Sequence, residues 1–175
     1  MGAAVHRFRA AYARVLEWVV GALMVILFVE VTVGVVFRSV GASLTWYDEV
    51  ASVLLAWLTF YGSALASAKR AHIGCPELVD KMPWPVRRRV SIGAQIVVIA
   101  FFLLLGGVGA WILPILATDA LVSLPAIPMS VVQSVIPISS ALIVVAEATY
   151  LYDLVVGGSA PAAKAAGIAL ADGLH

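Results

Sequence analysis

Four long apolar stretches constrain this chain more than any other feature: Val15 to Phe37, Trp46 to Ala68, Ser91 to Leu116, and about Met129 to Tyr152. Even the shortest, at 23 residues, extends roughly 34 Å as a helix, against about 30 Å of bilayer hydrocarbon. Inside hydrocarbon every backbone N–H and C=O must find a partner within the protein, so such stretches cross as α-helices. The expected fold is therefore an all-α integral membrane protein with four transmembrane helices. Composition agrees, with 63% hydrophobic and 12% charged residues. Arg7, Arg9 and Arg14 precede the first stretch as they would a signal peptide. Its apolar region is too long for one, and no small-x-small site follows, so it reads as a retained anchor. Residues 1–155 form one expected transmembrane domain. The Gly/Ala-rich segment 156–175 has few large apolar side chains with which to dock and reads as a flexible tail.

The net charge of +1 conceals an uneven distribution. Lys and Arg number ten in the segments that share a side with the termini and one, Arg38, on the other side. The positive-inside rule then predicts both termini in the cytoplasm and places the acids Asp48, Glu49 and Asp119 outside. In the second loop, Leu78, Val79 and Met82 fall on one helical face, followed by Trp84 and by Arg87, Arg88 and Arg89. This pattern predicts an amphipathic interfacial segment, with Trp84 at headgroup level and the arginines near anionic lipid. A purely topological role for the three arginines is the alternative.

Inside the first stretch stands Glu30. A mid-bilayer charge costs about 3 kcal/mol, which the surrounding Val, Leu, Ile and Phe residues outweigh, so insertion survives while the carboxylate must face protein. It is either an ion or proton site, as a single embedded glutamate serves in small multidrug exporters, or a packing contact, including one to another subunit. The sequence offers no second mid-depth acid to complete an ion cage, which favours the packing contact. Glu17 and Glu147 lie nearer the cytoplasmic ends and are expected to pair with Arg14 or a loop arginine. Small residues four apart, such as Gly62 and Ala66 or Gly106 and Ala110, permit close helix contact within the chain or between subunits. Pro114 and Pro137 are expected to kink the third and fourth helices, and Gln95, Gln133 and Ser134 are candidates for bonds between helices.

Several chemistries lack their residues. The single cysteine, Cys75, forms neither an internal disulfide nor a CxxC pair, and with no histidine inside a span a bis-histidine haem has no ligands. His72 is alone in its loop, and no phosphate-cradling glycine loop, nucleophile elbow or metal-spaced cluster occurs. No cofactor, enzyme activity or nucleic-acid partner is expected.

The stretch "LTWYDEVASVLLAW", residues 44–57, raises the sharpest question, because two carboxylates stand at the door of a membrane helix. Thr45 is placed to cap a helix beginning at Trp46, with Asp48 at its third position. The partial positive charge of a helix N-terminus favours each acid by about 0.3 to 1 kcal/mol. Capping accounts for one acid, whereas two beside Trp46 and Tyr47 form a patch able to dock a basic neighbour.

The series Trp46, Asp48, Glu49, then Trp57 and Gly62, then His72 and Ile73, then "LPAIPMSVVQSVIP" with Pro128 and Pro137, resembles the small membrane subunit (DctQ type) of tripartite ATP-independent periplasmic (TRAP) transporters. The resemblance runs from about residue 10 to 155. It implies a scaffold in the bacterial inner membrane, joined to a large DctM-type subunit that is the sodium-coupled elevator and is supplied by a periplasmic solute-binding protein. It implies organic acids as substrates and a partner interface at the residues just named. An autonomous proton-coupled exporter using Glu30 is the alternative, and the charge asymmetry and long second loop count against it.

Overall fold

The computed structural model describes residues 2–71 and 83–156. Helix α1 spans Gly2–Ser39, α2 Tyr47–Lys69, α3 Trp84–Ile112, a short α4 Met129–Gln133, and α5 Val135–Val156, with a 3-10 turn at Ile115–Thr118. Four helical segments are long and apolar enough to cross a membrane, the last running through α4 and α5. The four expected spans are thus present, and their ends differ for physical reasons. Helix α1 continues thirteen residues ahead of Val15, because "GAAVHRFRAAYAR" is rich in good helix formers even where it is no longer apolar. Its 38 residues reach about 57 Å and project beyond the hydrocarbon. Helix α3 starts at Trp84 rather than Ser91, with Pro83 as cap and Pro85 in the first turn, where a missing N–H costs nothing. Arg87, Arg88 and Arg89 therefore lie on its opening turns rather than in a loop. The expected interfacial segment with Leu78, Val79 and Met82, together with His72, Cys75 and the tail from 157 onward, lies outside the described residues.

The prolines break helices rather than bend them. Helix α3 ends at Ile112, and Pro114 precedes the 3-10 turn. The α4–α5 break falls at Ser134, next to Gln133, whose carbonyl has no N–H to receive from Pro137 four residues on.

The most extensive packing joins α3 to α5, α1 to α2, and α2 to α5. Helix α5 is the hub, and it holds the fully buried Ser139, Ser140 and Ile143. Ile143 meets Leu16 of α1 and Ala64 of α2, with Tyr12, Tyr61, Phe102 and Leu142 around them. Of the small-residue pairs, Gly106 faces α5 within the chain, where a Cβ would stand 3.0 Å from the Ser140 Cβ, and Gly109 does the same against Ile136. Gly62 differs: a Cβ there meets nothing within 4 Å. The outward faces of α1 and α3, including Trp18, Phe28, Leu104 and Trp111, are exposed large apolar surface of the kind that lipid or another membrane subunit covers.

Candidate functional site: two polar assemblies at the ends of the helices

At the end of the molecule away from the termini, the connection from α3 to α4 folds into a compact loop. An isolated antiparallel bridge joins Ala120 to Pro128, the Leu121 N–H donates to Ile127 O at 3.1 Å, and the Met129 N–H to Asp119 O at 2.8 Å. Leu121 is buried beneath it. The loop tip exposes two N–H groups with no partner in the loop, and Glu49 supplies one. Its carboxylate accepts from the Val122 N–H at 3.0 Å and the Ser123 N–H at 2.7 Å, while the Ser123 hydroxyl donates to Thr45 O at 3.2 Å. About two turns further along α2, the Trp57 indole N–H donates to Val132 O of α4 at 3.0 Å.

The expected helix cap is corrected by this arrangement. Helix α2 begins at Tyr47, its N-cap is Trp46, and no side chain caps it. Thr45 contributes its carbonyl to the loop clasp instead of its hydroxyl to the helix. Glu49 leaves the local backbone for the loop, because a charge-assisted bidentate contact to two otherwise unpaired N–H groups outweighs a single local cap bond. Both acids remain in the first helical turn, where the dipole favours them. Asp48 is exposed, and Glu49 is the one committed inward.

Of the residues singled out in the sequence, Glu49, Trp57 and Pro128 converge on this one assembly of loop, α2 and α4, whereas Pro137 lies on α5 against Gly109 of α3. Trp46 and Asp48 lie beside the assembly, and Gly62 lies along α2 on an open face. The loop N–H groups of Val122 and Ser123 were not legible in the sequence, since a backbone donor has no residue-type signature.

The second assembly lies at the terminal end. Glu147, 5% exposed, accepts a short hydrogen bond from the Gln95 amide and pairs with Arg70 at 3.2 Å. The Arg70 guanidinium lies over the Tyr150 ring, 3.0 Å from its centroid. Burial draws the guanidinium below its ordinary value and the Glu147 carboxylate opposes that, so Arg70 keeps its proton at any physiological pH. Arg9 pairs with Asp153 at 2.6 Å and donates to Thr149 O at 2.5 Å, Lys69 pairs with Glu17 at 2.5 Å, the Tyr12 hydroxyl donates to Leu142 O at 2.6 Å, and Arg88 donates to Val155 O at 2.9 Å. The start of α1 and the end of α5 are thus tied together on one side of the bundle. Glu147 has the expected loop arginine, whereas Glu17 takes Lys69 rather than Arg14. Lys69 and Glu17 are each nearly half exposed, so this pair adds little stability.

Glu30 belongs to neither assembly. Its two carboxylate oxygens are covered and have no hydrogen-bond partner among the described residues.

These observations define a class: a four-span membrane protein whose polar side chains fasten helices and a loop to one another. Among the described residues no three His, Cys, Asp or Glu side chains are grouped to hold a metal ion. Residues 27–157 match the family model of the tripartite ATP-independent periplasmic transporters, DctQ component, and the chain belongs to that family as its small membrane subunit. It is a transporter component and not an enzyme. No curated protein matches it.

Proposed function

We propose that this chain is the scaffold of a sodium-coupled, binding-protein-dependent transporter for organic acids in the bacterial inner membrane, bracing a large DctM-type subunit that carries the substrate. The family match supports the partnership, since the DctQ component works with a large subunit and a periplasmic binding protein. The observation that carries the bracing role is where the polar groups go. Glu49, Trp57, Gln95, Arg70 and Glu147 are all engaged in holding helices and the outer loop in place.

Both termini are assigned to the cytoplasm on the charge asymmetry. A phosphatase reporter at Gly41 is then active and the same reporter at the C-terminus inactive; the reverse pattern overturns the orientation. Arg87, Arg88 and Arg89 are then assigned to the inner surface, near anionic lipid.

The partner interface is assigned to Trp46, Asp48, Glu49, Trp57, Gly62, His72, Pro128 and Pro137, of which Asp48 is exposed, Gly62 lies on an open face and His72 is outside the described residues. Asp48 is the residue to test, because a Glu49 substitution would loosen the loop as well. With the large subunit co-expressed, Asp48→Asn is expected to lower its recovery on the tagged small subunit about tenfold while insertion is unchanged. Recovery at the wild-type level removes Asp48 from the interface. Failure of the wild-type chain to recover any large subunit overturns the function.

A further inference from the structure

Glu30 lies in a groove of about 360 Å³, with Val29 and Val33 of α1 on one side and Leu44, Trp46 and Tyr47 on the other. The wall between α1 and α2 is tight: the Tyr47 ring rests on Gly34, where a Cβ would fall 2.0 Å from a ring carbon. The groove is almost wholly apolar, yet a carboxylate whose oxygens are both covered stands in it, and neither the Trp46 indole nor the Tyr47 hydroxyl donates to it. Asp48, exposed, follows directly on the groove-lining Trp46 and Tyr47. Arg38, the nearest cation along α1, forms no ion pair with either among the described residues.

We propose that this groove receives an arginine or lysine side chain from a membrane-embedded helix of the large subunit, with Glu30 as its counter-charge. The inference rests on the proposed partnership and specifies where it is anchored. Charge complementarity selects the occupant. An acyl chain brings no hydrogen-bond donor, and an unpaired carboxylate in hydrocarbon is costly. A lipid headgroup would have to descend, since Glu30 is seven residues, about 10 Å, below the Phe37 end of the apolar stretch. A long cationic side chain can lay its methylene stem along Val29 and Val33 while its head reaches the carboxylate. Helix α1 leaves the approach open, because its main packing is against α2 alone.

The test compares recovery of the co-expressed large subunit by tagged wild type, Glu30→Leu, Glu30→Lys and Val29→Trp, each normalised to the amount of small subunit in the membrane. Truncating one partner of a desolvated charge pair predicts a fall of roughly thirtyfold or more for the first two variants. Val29→Trp, which fills the groove but keeps the charge, is expected to lower recovery as well. A single Arg→Glu or Lys→Glu substitution in a membrane helix of the large subunit is expected to restore binding to Glu30→Lys. Should Glu30→Lys fail to accumulate, Glu30→Leu decides, because it removes an unpaired charge and leaves an apolar helix. Wild-type recovery by Glu30→Leu overturns the proposal. So does undiminished recovery accompanied by loss of a co-purified lipid, which assigns the groove to lipid. Absence of the large subunit from the wild-type preparation is a different failure, that of the partnership itself.

Discussion

Glu147→Ala is expected to destabilise the chain by about 2 to 4 kcal/mol, read as thermal or denaturant unfolding in detergent. The substitution takes the carboxylate from the Gln95 amide, which is buried with Glu147 at the α3–α5 contact and keeps only the weaker bond to the Glu147 backbone carbonyl at 3.3 Å, and it removes the acceptor of Arg70. These two losses are unequal. The Arg70 side chain is 41% exposed and turns to water, whereas the buried Gln95 amide is left with the long bond to the residue-147 carbonyl. Glu147→Gln, which keeps a carbonyl acceptor for Gln95 and gives up only the charge, should therefore cost less than half as much. Equal losses for the two variants would place the stabilisation in the ion pair and contradict this ranking.

Gly109→Leu should be comparably severe for a different reason. A Cβ at Gly109 already meets Ile136 Cγ2 at 2.9 Å and Pro137 Cδ at 3.3 Å, and the proline ring is rigid. The remaining leucine atoms have to enter the α3–α5 crossing, where overpacking costs about 1 to 3 kcal/mol or more. Gly109→Ala makes the informative contrast. Its methyl group is squeezed, but alanine favours the helix by about 1 kcal/mol over glycine, so the two effects nearly cancel. The expected pattern is a near-neutral alanine variant and a leucine variant with a clearly lowered unfolding temperature. A leucine variant as stable as wild type would mean that α3 and α5 do not cross closely at Gly109.

The two variants also mark what was legible in the sequence. The four spans were, because a run of more than twenty apolar residues has few other fates in a chain. Close packing at Gly106 was legible as a spacing, but whether it served this chain or a neighbour was not, and Gly62 with the same spacing faces open space. Gln95 and Glu147 each stood out as polar residues in apolar helices, yet their pairing bridges 52 positions. One signal did exist: each lies about one turn inside the same end of its span, and matched depth on antiparallel helices is a reason to pair them.

The clasp of Glu49 on the α3–α4 loop was the least legible element. Local rules make Thr45 the cap with Asp48 at the third helical position, and those rules weigh only donors within a turn of the helix start. The donors that win Glu49 are backbone N–H groups of Val122 and Ser123, more than seventy residues away, held at the tip of a loop whose shape is set by Pro128 and the Ala120 bridge. What the sequence did convey was an excess, two acids where one cap is needed. The structure divides them, with Glu49 turned to the loop and Asp48 left exposed.

In the proposed function this chain braces a larger transport subunit and does not itself move solute. The decisive measurement is uptake of the proposed organic acid substrate into proteoliposomes under an inward sodium gradient, with the binding protein supplied outside. Vesicles holding both membrane subunits should accumulate solute, vesicles holding only this chain should not, and Glu30→Gln should sustain uptake in whatever complex it forms. Solute movement by this chain alone, abolished by Glu30→Gln, would contradict the account and make the chain a carrier in its own right.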